Sequence, residues 1–151
     1  MMTKYPGLIW LFDNPFTKEI IVRSEDTDRL GHTNNVSYLK WLEAIAWQHM
    51  ESLGCGWLVS ERLNKAMAIT RTEMNYLNAS YEDEVLILGT WITKSDFKLS
   101  SERQFQLFRL SDNKQLLSAT MQFVCIDLKS GRASKMPEEL VYAHQDAISK
   151  L

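Results

Sequence analysis

A single long amphipathic segment most constrains how this chain can fold. From Val36 onward, apolar residues recur at three- and four-residue spacing, which is the period of one buried helix face. The later members of this stripe are Leu39, Leu42, Ile45, Ala46, Met50 and Leu53. Thr33, Asn34 and Asn35 are suitable N-cap residues, and Gly54 is a suitable stop. The pattern predicts a long helix that needs a sheet face to bury its stripe.

The segment before this helix is crowded with small polar groups. Two carboxylates, one imidazole and two carboxamides lie within ten positions, and they belong to Asp26, Asp28, His32, Asn34 and Asn35. The first turn of a helix exposes backbone N–H groups without intrahelical partners, and the helix dipole is positive there. A carboxylate beside such donors is a layout suited to attack on a polarised carbonyl group.

Composition predicts one ordinary globular domain. The net charge of −2 gives no electrostatic reason to expect nucleic acid or a membrane as partner. Cys55 and Cys125 show no metal-ligand or redox spacing, so the cytoplasm is the expected location. Residues 8–12 form an apolar stretch shorter than the apolar core of a signal peptide.

Strand patterns surround the predicted helix. Residues 1–16 form an N-terminal arm, and a strand is expected over 17–23 with Ile20 and Val22 buried. Four further strands are expected over 66–77, 84–94, 98–110 and 115–127. Because short turns join them, neighbouring strands are expected to be antiparallel. One buried face of the last strand consists of Leu117, Ala119, Met121, Phe123 and Cys125. Residues 54–64 are expected to be a turn region, and the tail from Pro137 a short helix or loose end.

Three segments together resemble one family. The motif Asp26-x-Asp28-x-x-Gly31-His32-x-Asn34-Asn35-x-x-Tyr38-x-x-x-x-Glu43 resembles the signature of hotdog-fold acyl-CoA thioesterases of the hydroxybenzoyl-CoA thioesterase-like family. Residues 76–83 and 123–137 are similar to later segments of that family. The resemblance implies an α+β hotdog fold over residues 17–151, with a long central helix wrapped by a five-stranded antiparallel sheet. It also implies a homodimer, often paired further into a homotetramer, with active sites at the dimer interface.

The resemblance also implies roles for the motif residues. The family's second aspartate carries the chemistry, which makes Asp28 the nucleophile or general base. Its oxyanion donor, a backbone N–H at the helix start, is best matched by Asn35. His32 either contacts substrate or holds the loop, while Asn34 either positions the reactants or caps the helix. Asp26 is expected to shape the loop through hydrogen bonds to the backbone.

Further residues are candidates for binding the substrate. Tyr38 and Glu43 follow the loop on the helix, and Glu43 alternatively makes a structural hydrogen bond to the sheet. Lys94, Lys98 and Arg103 flank the hairpin where family members bind the nucleotide end of CoA. The arginine usual in the family beyond the glutamate is missing, with Ala46 and Trp47 in its place.

The expected reaction is hydrolysis of an acyl-CoA to free acid and CoA, with no cofactor beyond the CoA of the substrate. Two alternatives stay open, namely an acyl-carrier-protein thioesterase and a non-catalytic acyl-CoA-binding hotdog protein. A hotdog dehydratase is a third option, but the sequence lacks the different local motif on which dehydratases usually place a histidine or glutamate. A calcium loop of the EF-hand type is excluded because Leu30 and Ser37 stand where oxygen ligands are required. His32, His49 and His144 have no partner at zinc-ligand spacing.

Overall fold

The computed structural model describes residues 4–151, so the first three residues of the predicted arm lie outside the described residues. The strands are β1 (Phe16–Ile21), β2 (Lys65–Tyr76), β3 (Val85–Ser95), β4 (Ser100–Arg109) and β5 (Gln115–Asp127). The helices are α1 (Asn35–Ser52), α2 (Trp57–Leu63) and α3 (Glu138–Ser149). The strands form one sheet in the order β1-β3-β4-β5-β2, and each neighbouring pair is antiparallel. The predicted five-stranded antiparallel sheet and long helix are confirmed.

Helix α1 lies across the inner face of the sheet. Leu42 and Ile45 from its stripe are almost completely buried, and they share one cluster with Leu88, Phe105 and other inner-face residues. Each such side chain contributes about 1.5–3 kcal/mol by leaving water. The stripe prediction fails only at its first residue, because Val36 is 60% exposed at the uncovered start of the helix.

The two later helices lie beside the end of α1, with α2 against β2 and α3 against β3. The expected turn region at 54–64 contains α2, whose seven residues are too few to show a helical period in sequence. Val59 of α2 packs against a second hydrophobic cluster, which includes Met50 and Cys125, and this packing holds α2 in place. The tail forms α3, and its buried residues pack in that cluster with Met50 and Cys125. No helix among residues 4–151 is long and apolar enough to cross a membrane.

The N-terminal arm covers the outer face of the sheet. The Trp10 and Phe108 rings meet edge-on with their centroids 4.9 Å apart. Leu8 is buried in one hydrophobic cluster with Phe108. The Trp91 indole donates to the Asp13 carbonyl oxygen at 2.9 Å. Trp10 lies so close to β3 that an added Cβ on Gly89 would be 2.4 Å from its ring, so any side chain at this position would displace the ring.

Candidate active site

A tight loop presents the predicted catalytic aspartate. Thr27 and Thr33 form an isolated antiparallel bridge at its base. Within the loop, the Asp28 N–H donates to the His32 carbonyl oxygen at 2.8 Å, and the Gly31 N–H donates to the Asp28 carbonyl oxygen at 3.0 Å. Gly31 has φ +77°, a conformation that side chains disfavour. The polar segment is therefore a defined turn with Asp28 at its first corner.

The Asp28 carboxylate is held by backbone amides through one oxygen. Its Oδ1 accepts from the Leu30 N–H at 2.8 Å and from the His32 N–H at 3.3 Å. The residue is exposed, and no ion pair of Asp28 is present among residues 4–151. Two amides thus orient the carboxylate, while its Oδ2 has no recorded partner in the described chain.

Asp26 shapes the loop, as predicted. Its Oδ2 accepts from the Arg23 N–H at 3.0 Å, and its Oδ1 accepts from the Ser37 hydroxyl at 2.9 Å. Its backbone carbonyl accepts from the Asn34 N–H at 2.7 Å. Since both carboxylate oxygens serve the loop and the first turn of α1, Asp26 joins these two segments.

The start of α1 presents free backbone donors. Asn34 is the N-cap, and its Oδ1 accepts from the Ser37 N–H at 2.8 Å, which confirms its predicted capping role. No acceptor for the N–H groups of Asn35 and Val36 is recorded in the described part of the chain. Both residues are exposed and follow the loop directly in the chain. Tyr76 donates a hydrogen bond to the Asn35 side-chain oxygen, a contact that the sequence did not predict.

A buried serine anchors the loop to the sheet. The Ser80 hydroxyl is 2.6 Å from the Thr33 hydroxyl and 2.8 Å from the Tyr38 hydroxyl, and Ser80 is completely buried. This network places the Tyr38 hydroxyl inside the protein, behind the loop. Sequence reasoning missed Ser80, because nothing about a lone serine between strands indicates a tertiary partner.

His32 packs against the segment that carries Ser80. Its ring meets the Tyr81 ring edge-on with centroids 5.2 Å apart, and the two residues form an isolated bridge. These contacts support the predicted loop-holding role of His32. A contact between its ring and the substrate stays a prediction.

A cavity of about 240 Å³ lies beneath the second half of α1, and we call it the helix cavity. Glu43 lines it and is exposed. The alternative that Glu43 makes a structural hydrogen bond to the sheet is wrong, because no hydrogen bond of its side chain is recorded in residues 4–151. Exposed Trp47 and Ile69 lie with Glu43 at the mouth, while Arg103 and His144 line the buried part.

The three predicted CoA-binding cations occupy different environments. Lys94 is exposed and 3.8 Å from Glu102, and Lys98 is exposed at the β3–β4 hairpin. Arg103, however, is only 3% exposed on the inner face of β4. The prediction that Arg103 meets CoA phosphates at the surface is therefore wrong, because alternation along β4 turns this side chain inward.

Sequence comparison identifies one family. A family model described as the thioesterase-like superfamily matches residues 22–144. The long-chain acyl-CoA thioesterase FadM of Escherichia coli (strain K12) is 29% identical over 124 residues, which cover 81% of this chain and 91% of FadM.

Solved structures share the architecture at low sequence identity. The hypothetical protein SAV2348 from Staphylococcus aureus, solved in complex with CoA, has a TM-score of 0.84 and 17% identity, covering 94% of this chain and 89% of its own. Slr0204, a 1,4-dihydroxy-2-naphthoyl-CoA thioesterase from Synechocystis, has a TM-score of 0.77 and 18% identity, covering 91% and 98%. These likenesses confirm the predicted hotdog fold.

Proposed function

The chain belongs to the thioesterase-like superfamily and is an acyl-CoA thioesterase, and we propose that Asp28 carries the chemistry of hydrolysis. The observation that supports this assignment is that the Asp28 carboxylate is oriented by hydrogen bonds but not neutralised by a cation. Two backbone amides orient one oxygen, no cation neutralises the group within the described chain, and the loop runs directly into the uncapped donors of α1. A carboxylate in this state keeps one oxygen available for reaction.

In the proposed reaction, the thioester carbonyl oxygen accepts from the N–H of Asn35, with the Val36 N–H beside it. As the carbonyl carbon becomes tetrahedral, negative charge develops on that oxygen, and donors at a helix start stabilise it. His32 and Asn34 border the same position from the loop and the cap. These donors need no rearrangement, because Asp26 and Ser80 already hold the loop and the first turn in place.

Two routes use Asp28 on this thioester. As nucleophile, its oxygen bonds to the carbonyl carbon, the C–S bond breaks, CoA leaves as a thiolate, and water then hydrolyses the mixed anhydride. As general base, Asp28 takes a proton from a water molecule whose oxygen attacks the same carbon. The C–S bond then breaks, CoA leaves as a thiolate, and the proton held by Asp28 passes to that thiolate. Both routes give the free acid and CoA and restore Asp28. Turnover in ¹⁸O-labelled water followed by mass spectrometry of the Asp28 peptide tests the nucleophilic route, since label in Asp28 shows that an anhydride formed and that water opened it at the Asp28 carbonyl.

The proposed partners of the chain are its acyl-CoA substrate and a second copy of itself. Exposed Lys94 and Lys98 are the cations proposed to meet the CoA phosphates. Strand β2 is an edge of the sheet, and the middle of it is exposed. An unpaired edge of this length favours pairing with another strand, and β2 is therefore the proposed dimer contact. The cytoplasm is the proposed location.

The test of the assignment is Asp28→Asn. We expect kcat to fall about a hundredfold or more, as for loss of an acid–base group or nucleophile. Free thiol release from a panel of acyl-CoAs measures the rate. Glu25→Gln is the matched control, because it removes another exposed carboxylate from the preceding segment. Equal loss in both variants, or unchanged turnover in Asp28→Asn, would contradict the role.

Parallel assays on acyl carrier protein thioesters test the alternative donor, and binding without turnover on either donor would indicate a non-catalytic protein.

A further inference from the structure

A buried arginine without a carboxylate partner lies beneath the C-terminal half of α1. The Arg103 Nη1 donates to His49 Nδ1 at 2.8 Å and to Thr90 Oγ1 at 3.2 Å. Because an arginine N–H only donates, the His49 nitrogen accepts and carries no proton. No ion pair of Arg103 with any of residues 4–151 is present.

The charge of Arg103 is therefore not balanced by the described chain. Burial lowers the pKa of Arg103 to about 9, which still leaves a cation at neutral pH. Burial, and next the charge of Arg103, lower the pKa of His49 to about 3 and keep its ring neutral. Removing a cation from water without a counterion is strongly unfavourable. An anion supplied from outside the chain would offset this cost.

One edge of the guanidinium group is free to bind that anion. The Nε and Nη2 groups of Arg103 have no recorded acceptor among the described residues. Among the described residues, each side-chain nitrogen or oxygen that is fully hidden from solvent has a hydrogen-bond partner. Because Nε and Nη2 have no partner, they are not fully hidden. The space that they reach is the helix cavity, which Arg103 lines. These two groups point the same way and form the fork that binds a carboxylate through two parallel hydrogen bonds.

The rest of the helix cavity suits an apolar chain. Most of its wall is apolar and includes Ala46, Met50, Met67, Ile92, Phe123 and Leu140. Buried His144 donates from Nδ1 to the Leu140 carbonyl oxygen at 2.6 Å, which leaves Nε2 as an acceptor. Among the described residues that line the cavity, only Glu43 is a carboxylate, and it lies at the exposed mouth.

The position of Arg103 sets the length of chain that would reach it. His49 follows Asn35 by fourteen residues, so it lies about 21 Å along the helix axis from the proposed oxyanion donor. An extended chain advances about 1.2 Å per bond, so at least about fourteen carbons with a hydrogen bond at each end are needed to span this distance. The first part of such a chain would lie outside the helix cavity, whose wall on α1 begins at Glu43.

We propose that Arg103 is a specificity-determining residue that binds the distal carboxylate of a long-chain ω-carboxyacyl thioester, whose methylene chain occupies the helix cavity. The proposal rests on the proposed function, because it identifies the acyl group of that same reaction. It differs from the surface role first predicted for Arg103, in which the partner was a CoA phosphate.

Matched substrates test the proposal on the unaltered protein. Tetradecanedioyl-CoA and tetradecanoyl-CoA differ only in the distal carboxylate. We expect kcat/KM to favour tetradecanedioyl-CoA by about tenfold or more, the worth of a hydrogen-bonded charge pair. Octanedioyl-CoA is too short to reach Arg103, so it should show no such advantage over octanoyl-CoA. Equal or better hydrolysis of tetradecanoyl-CoA would overturn the proposal.

Variants of Arg103 test whether its guanidinium group causes the preference for tetradecanedioyl-CoA over tetradecanoyl-CoA. Arg103→Met should collapse the ratio of the two kcat/KM values toward one, mainly through KM for the dicarboxylic substrate. Arg103→Lys keeps the charge without the fork and should retain part of the ratio. Arg132→Met, which removes an exposed arginine, should leave the ratio unchanged. A ratio that survives Arg103→Met would overturn the proposal.

A binding measurement separates this proposal from the proposed function. Thermal stabilisation of the Asp28→Asn protein by monomethyl tetradecanedioate and methyl tetradecanoate needs no turnover, and only the first of these esters carries a carboxylate. Greater stabilisation by monomethyl tetradecanedioate that is lost on adding Arg103→Met supports the Arg103 site, even when no acyl-CoA is hydrolysed. Equal stabilisation by the two esters overturns it, even when hydrolysis is observed.

Discussion

The hydroxyl groups of Thr33 and Ser80 lie 2.6 Å apart, with Ser80 completely buried. Ser80 belongs to the connection between β2 and β3, and Thr33 to the last part of the proposed catalytic loop. The Thr33 N–H also donates to the Ser80 carbonyl oxygen at 2.8 Å. Through this pair the sheet determines where the loop enters α1.

Removing the Ser80 hydroxyl should loosen the loop. In Ser80→Ala, the hydroxyls of Thr33 and Tyr38 lose a shared buried partner, and unsatisfied buried groups cost about 1–3 kcal/mol. We therefore expect the free energy of unfolding to fall by that amount and kcat to fall several-fold. Urea denaturation and thiol release measure the two effects. Ser111→Ala, at an exposed position, is the control, and an equally small effect of both variants would contradict the anchoring role.

The close contact between Gly89 and Trp10 predicts a penalty for any side chain at position 89. In Gly89→Ala the new Cβ would overlap the Trp10 ring, so the arm must shift from the outer face. Overpacking of this kind costs about 1–3 kcal/mol of unfolding free energy. The same substitution in a Trp10→Ala background should cost much less, because the ring is absent. Equal costs in the two backgrounds, measured by urea denaturation, would show that the contact is not responsible.

Periodic patterns made most of the fold predictable. The strands over 66–77 and 115–127 were predicted within about one residue because alternation and turn formers mark them in sequence. Ile20 and Val22 are buried as predicted, since their positions follow from the same alternation. Helix α2 was missed because a seven-residue helix owes its existence to packing on other segments.

The loop of the candidate site was predictable to a lesser degree. Capping by Asn34 and loop shaping by Asp26 follow local rules, so the sequence sufficed. Ser80 and Arg103 owe their roles to partners 47 and 54 residues away in the chain. Arginine side chains are mostly exposed, so the residue type favoured a surface position for Arg103. Its burial follows from its place on the inner face of β4.

The exposed edge strand predicts self-association. Strand β2 has a paired side on β5 and an open side. We expect light scattering in solution to give at least twice the 17.5 kDa mass of the chain. A proline at Thr72, in the exposed middle of β2, should lower the mass by interrupting pairing along the edge. A stable monomer for the unaltered chain would contradict the proposed dimer, and circular dichroism shows whether the proline variant is folded.

The contact between Arg103 and His49 predicts a pH dependence of stability. Burial, followed by the Arg103 charge, lowers the pKa of His49 from 6.5 to about 3 in the folded protein. Between these two pH values, the unfolded chain binds a proton at His49 that the folded chain does not, so the unfolding free energy falls as the pH falls. His49→Gln offers Arg103 a carbonyl acceptor that does not titrate, and its unfolding free energy should therefore fall less steeply over the same range. Urea denaturation at a series of pH values compares the slopes, with Gln48→Ala as a control on the same helix. Parallel slopes for the His49→Gln and unaltered proteins would show that His49 is not held neutral by burial and Arg103.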